Sequence, residues 1–522
     1  MLPVAVSHKR KVIGVPDRAD IRNLFPEAQS IIMDGKTTIV LPHGPTETYL
    51  LRKMGYDIPS PINTHYNYRG GKPFEVQRKT CAMLTMNQRA YVLNGMGTGK
   101  TKAALWAWDY LHSHGHAQKM LVVAPLSTLN FTWAREIFTT LPGVQCAVLH
   151  GSKAKRLSLL ANPDIDIFIV NHDGLKVILD EIEARKDIDT LVIDELAVYR
   201  NGNSQRTKLT RKVALGMNWV WGMTGSPIPN SPTDAWSQCS IVTPHSVPKY
   251  FGRFRDELMH RVTQFKWMPK PDAVDKAFAA MQPAVRFTLD DVVELPECVE
   301  RTLDIDLGPK QLKVYNALAD HAHAAVVNKE ITAANAGAVM SKLLQVSTGW
   351  VYSSDQSVVA LDNDERVSAL VDTILSCDRK VLVFVPFKHA LAGISKSLTS
   401  EGIEHAVVSG DTPAADRAQI FNTFQNTGKY KVIAAHPQCL AHGITLTASD
   451  TIIWFAPVTS LEIYDQANHR IRRVGQSHKQ LVLHLQATPV EKKIYALLRR
   501  KQKVQDKLLE LFEGASKESE QV

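Results

Sequence analysis

Residues 91–101 read YVLNGMGTGKT, and this stretch decides the fold. Its first three residues are a short apolar run of the kind that forms a buried parallel strand. Glycines at 95, 97 and 99 follow, then Lys100, and the next residues, KAALWAWDYL, favour a helix. A strand, a glycine-rich turn and a helix in this order are the context of a phosphate-binding loop. Position 94 is Asn, where the strict GxxxxGKT pattern has Gly.

The loop predicts a nucleotide site, and the reason is chemical. Glycines let the backbone N–H groups turn inward and cradle phosphates, a lysine neutralises the β and γ oxygens, and a hydroxyl ligates Mg²⁺. We therefore expect a nucleoside triphosphate to be bound by Gly95, Gly97, Thr98, Gly99, Lys100 and Thr101. The alternative is a chance match to a short glycine-rich pattern.

A second motif supplies two carboxylates. The apolar run Leu191–Ile193 ends in Asp194 and Glu195. At the end of a buried strand, one carboxylate can hold Mg²⁺ and the other can orient and deprotonate an attacking water. We assign the metal to Asp194 together with Thr101, and the catalytic base to Glu195; the alternative is a surface acidic pair. With the loop, the two motifs predict hydrolysis of a nucleoside triphosphate.

Apolar runs recur along the chain in two sets separated by helical stretches. The runs lie at 91–93, 120–123, 165–170 and 190–193, and then at 380–385, 431–434 and 451–455. Strands alternating with helices indicate an α/β fold with a parallel sheet, and two sets indicate two tandem lobes.

The predicted boundaries follow from this rhythm. Residues 1–68 are rich in Pro and turn residues and form an extension of unknown role. The first lobe covers 69–285, with a helical insertion at about 229–285, and the second covers 286–512 and ends in a brace helix. The polar tail at 513–522 is expected to be disordered.

Composition sets weaker bounds. The 522 residues carry a net charge of +9, which favours a polyanionic partner or, more simply, a solvated basic surface. Six scattered cysteines without a CxxC pair fit a reduced cytoplasmic interior. No apolar run is long enough to span a bilayer, so no membrane role is expected.

Further segments match a known family in order, over about residues 70–512. They are KPFEVQ at 72–77, VVAPLS at 122–127 with Trp133, MTGSPIPN at 223–230, LPE at 295–297, GWVY at 349–352, QCLAHGITL at 438–446 and DQANHRIRRVGQ at 465–476. In this order they resemble the motifs of the Swi/Snf-like ATPases, the double-stranded-DNA translocases within helicase superfamily 2. The segments at 295–297 and 349–352 are the most discriminating, because general RNA helicases lack them.

The resemblance implies two RecA-like lobes with ATP in the cleft between them, and it assigns roles to residues. Gln77 would read adenine, and Thr224, Gly225 and Ser226 would couple hydrolysis to lobe movement. Catalytic roles in the second lobe fall on Gln466, Arg470 and Arg473, with the arginines reaching the γ-phosphate. The DNA track would include Pro125, Ser127, His442 and Gly443.

Departures from the family pattern also carry information. The carboxylate box reads DELA instead of DEAH, and His442 and Thr445 replace the usual Gly and Asn. The form TSLEIYDQANHRIRRVGQ is closer to prokaryotic and phage members than to eukaryotic remodellers.

Three functions remain open at this stage. The leading prediction is a monomeric, cytoplasmic motor of a prokaryote or phage-infected cell that hydrolyses ATP with Mg²⁺ and moves along or remodels duplex DNA in replication, recombination or repair. A strand-separating DNA or RNA helicase is the alternative within enzymes. A nucleotide-gated DNA clamp with vestigial hydrolysis is the alternative from another class. Trp133, Trp236 and Trp350 are predicted to be core residues rather than base-stacking platforms.

Overall fold

The computed structural model describes residues 4–263, 266–327, 333–353, 357–440 and 444–518. The chain divides into two compact units. Unit 1 comprises Met1–Val292 and Gln505–Val522, and unit 2 comprises Val293–Val504. Each unit contains a large parallel sheet, so the predicted α/β fold with two lobes is confirmed. The division falls after Val292 and not at residue 285, the boundary predicted from the sequence.

The N-terminal part of unit 1 is a small antiparallel sheet with the strand order β1-β2-β4-β3. Its strands are β1 (Ala5–Ser7), β2 (Val12–Pro16), β3 (Gln29–Met33) and β4 (Lys36–Pro42), with helices α1 (Ala19–Leu24) and α2 (Pro45–Lys53). Its own core contains Ile13, Val15, Ile39 and Leu51. The extension predicted at residues 1–68 thus contains four strands among its described residues.

The main sheet of unit 1 has seven parallel strands in the order β13-β5-β10-β9-β6-β8-β7. The strands of this part are β5 (Arg89–Val92), β6 (Lys119–Ala124), β7 (Cys146–Val148), β8 (Ile167–Asn171), β9 (Ile188–Asp194), β10 (Trp219–Met223), β11 (Met259–Arg261), β12 (Trp267–Pro269) and β13 (Ala284–Val285). The helices are α3 (Pro61–His65), α4 (Glu75–Met86), α5 (Lys100–Ser113), α6 (Arg135–Thr140), α7 (Lys153–Ala161), α8 (Leu179–Ala184), α9 (Gln205–Leu215), α10 (Asp234–Val242), α11 (Phe251–Leu258) and α12 (Ala273–Ala280).

The predicted helical insertion at 229–285 differs from the structure in one respect. Besides helices α10–α12, it contains the antiparallel hairpin β11–β12 and ends in strand β13. Strand β13 pairs in parallel with β5, and β5 is the strand that comes directly before the phosphate loop. The segment after residue 285 therefore stays with unit 1.

Unit 2 has a six-stranded parallel sheet in the order β14-β21-β20-β17-β19-β18. Its strands are β14 (Cys298–Asp304), β15 (Trp350–Tyr352), β16 (Val358–Ala360), β17 (Lys380–Phe384), β18 (His405–Val408), β19 (Val432–Ala435), β20 (Ser449–Trp454) and β21 (Gln480–Gln486). The helices are α13 (Pro309–Val327), α14 (Ala333–Thr348), α15 (Asp364–Ser376), α16 (Lys388–Ser400), α17 (Ala414–Asn426), α18 (Pro437–Leu440), α19 (Leu461–Asn468) and α20 (Pro489–Glu518).

The last helix, α20, begins on a buried ion pair of unit 2. Arg366 Nη2 lies 2.6 Å from Glu491 Oε1, and both side chains are almost fully buried. The other oxygen of Glu491 accepts from the backbone N–H groups of Ala487 and Thr488. Removing one partner of such a pair leaves a buried charge unpaired, which lowers the free energy of unfolding by about 3–5 kcal/mol.

Helix α20 continues to Glu518, beyond the predicted start of a disordered tail at residue 513. Residues 519–522 of that predicted tail lie outside the described residues. Among the described helices, none is both long enough and apolar enough to cross a membrane.

Candidate ATP-hydrolysis site

The phosphate loop connects β5 to α5 and uses glycine where the backbone needs it. Gly97 and Gly99 have φ values of +83° and +78°, in the left-handed region that side chains with a Cβ rarely adopt. A Cβ at Gly99 would lie 2.0 Å from Gln77 Nε2. Gly99 is also the N-cap of α5, so the positive end of a 14-residue helix points at the loop. The loop has the geometry that binds phosphate.

Lys100 is held inside this loop. Its ammonium donates to the carbonyls of Asn94 and Gly95, at 2.9 and 3.1 Å. Thr98 is buried and its hydroxyl donates to Gly95 O at 2.8 Å. Thr101 follows in the first turn of α5. The residues predicted to bind the phosphates therefore lie together.

Asn94, the departure from the strict loop pattern, has a structural role of its own. Its buried amide donates to Thr80 Oγ1 at 2.9 Å, and its Oδ1 accepts from the Phe287 backbone N–H at 2.9 Å. Gly95 N–H donates to Phe287 O at 2.8 Å. The amide thus fastens the loop to α4 on one side and to the segment after β13 on the other. A glycine at position 94 would have no side chain for either bond.

We expect Asn94→Gly to destabilise the protein although it restores the common loop pattern. The change leaves the Phe287 N–H without its acceptor, and an unsatisfied buried polar group costs about 1–3 kcal/mol. Urea denaturation measures the loss. Asn203→Gly, at an exposed position, is the control and should stay within about 0.5 kcal/mol of the unaltered protein. Equal stability of Asn94→Gly and the unaltered protein would contradict this role.

The predicted metal carboxylate is oriented by an indole. Trp133, fully buried in a π-helical turn (Leu129–Ala134), donates from Nε1 to Asp194 Oδ2 at 2.9 Å. Burial raises the pKa of Asp194, while the Trp133 hydrogen bond and the charge of Lys100 act in the opposite direction. Lys100 and Asp194 therefore belong to one electrostatic site. Trp133 is therefore a positioning residue, a role beyond its place in the motif that begins at 122–127 and its prediction as a core residue.

Glu195, the predicted catalytic base, adopts a strained backbone. Its φ of 53° and ψ of 55° place a residue with a side chain in the left-handed region. Such strain costs about 1–3 kcal/mol and clusters at functional sites. Strand β9 ends at Asp194, directly before this residue.

The predicted coupling segment lies against the phosphate loop. Thr224 N–H donates to Val92 O at 3.1 Å, and Thr224 Oγ1 accepts from Ser226 N–H at 3.1 Å. A Cβ at Gly225 would be 3.7 Å from the carbonyl oxygen of Asn94. A change in loop position would therefore reach this segment directly.

Helix α20 contacts the coupling segment and the segment after β13. Gln505 Nε2 donates to Ser226 Oγ at 3.3 Å. Arg286, whose Nη1 donates to Leu93 O at 2.6 Å, pairs through Nε with Glu513 at 3.3 Å. Gln505 and Glu513 belong to no sequence motif, so only the folded structure reveals these contacts.

Gln77, predicted to read adenine, is buried at the start of α4. Its Oε1 accepts from Phe74 N–H at 2.8 Å, and its Nε2 donates to Gly99 O at 3.4 Å. Both atoms therefore bind within unit 1, and the amide links the helix start to the phosphate loop.

In unit 2 the two predicted arginine fingers differ. Arg470 is buried, and its guanidinium donates to Gln466 O at 2.7 Å and Ile444 O at 2.8 Å. Arg473 is partly exposed and donates to His469 O at 3.1 Å and to Thr445 Oγ1 at 3.2 Å. Desolvation lowers the pKa of Arg473 to about 10, so it remains a cation at neutral pH.

This difference changes the interpretation of the motif. The contacts of Arg470 hold the loop before β20 to helix α19, a structural task. Arg473 has no carboxylate partner in the described part of the chain, and an anion would offset the cost of its desolvation. Gln466 is buried beside them in α19. Among their described contacts, Arg470 therefore binds two backbone carbonyls, and Arg473 binds one carbonyl and one hydroxyl.

The predicted DNA-track residues are only partly described. Pro125 and Ser127 lie in the turn after β6, where Ser127 is exposed. His442 and Gly443 lie outside the described residues. Trp133, Trp236 and Trp350 are all buried, which confirms their prediction as core residues.

The side chains present fit a magnesium–nucleotide complex. Mg²⁺ is usually held by one or two carboxylates, a hydroxyl and the phosphates of the substrate. Asp194 and Thr101 offer the carboxylate and the hydroxyl, and Lys100 acts electrostatically on the same carboxylate. The protein has two parallel-sheet lobes of RecA type, and the first contains the phosphate loop with Asp194 and Glu195. This combination defines an ATPase of the helicase class.

Comparison with known proteins gives the family. The SNF2-related domain matches residues 81–351, and the helicase conserved C-terminal domain matches residues 365–475. The chain belongs to the SNF2-related family and is an ATP-dependent enzyme of the helicase type. The resemblance to Swi/Snf-like ATPases is confirmed.

Three relatives illustrate the range of this similarity. Putative protein p41 of Acyrthosiphon pisum secondary endosymbiont phage 1 is 27% identical over 81% of this chain and 95% of its own length. An uncharacterized ATP-dependent helicase of Mycoplasma genitalium is 25% identical over 79% of this chain and 40% of its own. The third relative, from Xenopus laevis, is the SWI/SNF-related matrix-associated actin-dependent regulator of chromatin subfamily A-like protein 1. It is 24% identical over 74% of this chain and 39% of its own length. The chain thus spans nearly all of the phage protein but about two fifths of the other two.

Proposed function

We propose that this protein is a motor that hydrolyses ATP to move along duplex DNA. The observation that carries the proposal is the hydrogen bond between the predicted coupling segment and the strand that leads into the phosphate loop, from Thr224 N–H to Val92 O at 3.1 Å. In a motor the nucleotide state must change the grip on the track, and a segment beside the loop can pass on that change.

The proposed chemistry divides among four residues of unit 1. Lys100 neutralises the β and γ phosphates, and Thr101 and Asp194 would hold Mg²⁺, which would supply positive charge next to the transferred phosphoryl group. Glu195 accepts the proton of the attacking water. The hydrogen bond from Trp133 keeps Asp194 in one orientation during this step.

Unit 2 supplies the remaining charge in this proposal. Arg473 stabilises the negative charge that develops on the γ-phosphoryl oxygens, a contribution of about 10³–10⁵ in rate in related phosphoryl-transfer enzymes. Loss of the γ-phosphate then removes a shared contact, and alternating grip on the DNA backbone produces a step.

Duplex DNA is the track that the relatives support best. The Xenopus protein is named as a chromatin regulator of the SWI/SNF type, and chromatin contains duplex DNA. The net charge of +9 fits a polyanion, and binding through phosphates should weaken as salt rises. The phage relative supports an origin in a phage or its prokaryotic host. We propose in addition that the protein acts in the cytoplasm as a monomer, in replication, recombination or repair.

A parallel assay separates this proposal from a strand-separating helicase. We expect blunt duplex DNA to stimulate ATP hydrolysis strongly, with no displaced strand among the products. Single-stranded DNA and RNA should stimulate weakly. Stimulation by single strands alone would overturn the proposal in favour of strand separation, and hydrolysis that no nucleic acid stimulates would favour a clamp.

A further inference from the structure

A groove between the N-terminal sheet module and α4 has no role in the chemistry above. Its volume is about 950 Å³, and α2, the segment 59–63, α4 and the edge strand β13 line it. Arg52, Lys53 and Lys79 contribute three positive charges, and none of the lining residues is acidic. Asp57, whose charge acts on Arg52, is not among the residues that line it. The groove is therefore electropositive.

One of the three cations is held in a defined position. Arg52 donates from Nε and Nη2 to Ile58 O, at 2.8 and 2.5 Å, and burial lowers its pKa. Its guanidinium therefore loses little conformational freedom when an anion binds. Lys53 Nζ lies 5.7 Å from the ring centroid of Tyr49, and Lys79 Nζ lies 5.9 Å from that of Phe287.

Aromatic and polar groups accompany these charges. Tyr49 is 40% exposed, an unusual state for a large ring in a wall of a groove. Ser60 and Asn63 lie in the same wall, and the Ser60 hydroxyl has no hydrogen-bond partner among the described residues. A positive groove with an exposed aromatic platform is the arrangement by which proteins bind single nucleic-acid strands.

We propose that this groove binds single-stranded DNA, with phosphates on Arg52 and Lys53 and a base stacked on Tyr49. Bases within a duplex are already stacked on their neighbours on both faces. Tyr49 can therefore stack only on a base that is outside a duplex. The consequence for the motor, which rests on the proposed function, is a preference for junctions between duplex and single strand.

The groove is also connected to the ATP site. Phe287 lines it, and the backbone of the same residue bonds Asn94 and Gly95 of the phosphate loop. A strand in the groove would therefore contact the segment that supports the loop.

The test is the affinity for a labelled oligo-dT strand without ATP, measured by fluorescence anisotropy. Tyr49→Ala/Lys53→Ala should lose affinity about tenfold, the size of one base–aromatic stack. Lys249→Ala/Tyr250→Ala is a matched control, because Lys249 Nζ also lies 5.7 Å from the Tyr250 ring, which is 65% exposed elsewhere in unit 1. The control should bind as the unaltered protein does. Lys53→Glu, a surface change that removes no packing, should also weaken binding.

Equal affinities of the groove variant and the control would overturn the proposal. A raised KM for ATP with unchanged oligo-dT affinity would also overturn it, because the groove would then serve the nucleotide. In the ATPase assay, the groove variant should lose the extra stimulation by forked DNA and keep that by blunt duplex. If blunt duplex DNA fails to stimulate ATP hydrolysis even by the unaltered protein, the proposed function is wrong. The anisotropy measurement still tests the groove in that case, because it does not depend on hydrolysis.

Discussion

Lys100→Ala is expected to abolish ATP hydrolysis and to leave DNA affinity largely intact. The ammonium group lies inside the phosphate loop, bound to the carbonyls of Asn94 and Gly95, and it acts electrostatically on Asp194. Removing one preorganised charge from a phosphoryl-transfer site lowers kcat by at least about 10²–10³-fold. Steady-state ATPase rates with saturating duplex DNA measure the effect, and anisotropy with the same duplex measures the affinity.

Lys102→Ala is the matched control for this variant. Lys102 lies one position further along α5 than Thr101, and its ammonium pairs with Glu136 at 3.4 Å on a partly exposed surface. Because this pair is away from the loop, we expect nearly unchanged hydrolysis. Normal hydrolysis by Lys100→Ala would show that the site has been wrongly assigned.

The second large effect should separate the two arginines of the last motif. Arg473→Ala is expected to lower kcat about 10³-fold and to leave thermal unfolding unchanged, because its desolvated charge has an anion as its proposed partner. Arg470→Ala should instead destabilise unit 2. It leaves the carbonyls of Gln466 and Ile444 unpaired, at about 1–3 kcal/mol for each buried group.

Stopped-flow hydrolysis and thermal unfolding of both variants test this difference. Arg473→Lys is the control, because it keeps the charge without the planar guanidinium and should recover part of the rate. An Arg470→Ala protein that unfolds normally but has lost hydrolysis would contradict the structural role assigned to Arg470.

Local chemistry made much of the site predictable from sequence. A strand, a glycine turn and a lysine must be contiguous to bind phosphate, so the loop from Gly95 to Thr101 can be found by reading along the chain. Asp194 and Glu195 were found for the same reason, since they end an apolar strand. The order of the motifs was enough to predict the two lobes and the family, both of which are confirmed.

Contacts between distant segments were not predictable in this way. The hydrogen bonds of Asn94 to Thr80 and Phe287 depend on β13, a two-residue strand that leaves no periodic signal. Strand β14 was missed because it is polar and mostly exposed, unlike the buried runs used to find strands. Arg470 and Arg473 are one helical turn apart in sequence, and only packing shows that one is buried.

The central claim is movement along duplex DNA, and displacement of a third strand tests it most directly. A blunt duplex carrying a short triplex-forming strand is mixed with the protein and ATP. The account predicts ATP-dependent release of the third strand while the duplex stays paired, and no release by Glu195→Gln. Release of a strand of the duplex itself, or active hydrolysis without release of the third strand, would contradict it.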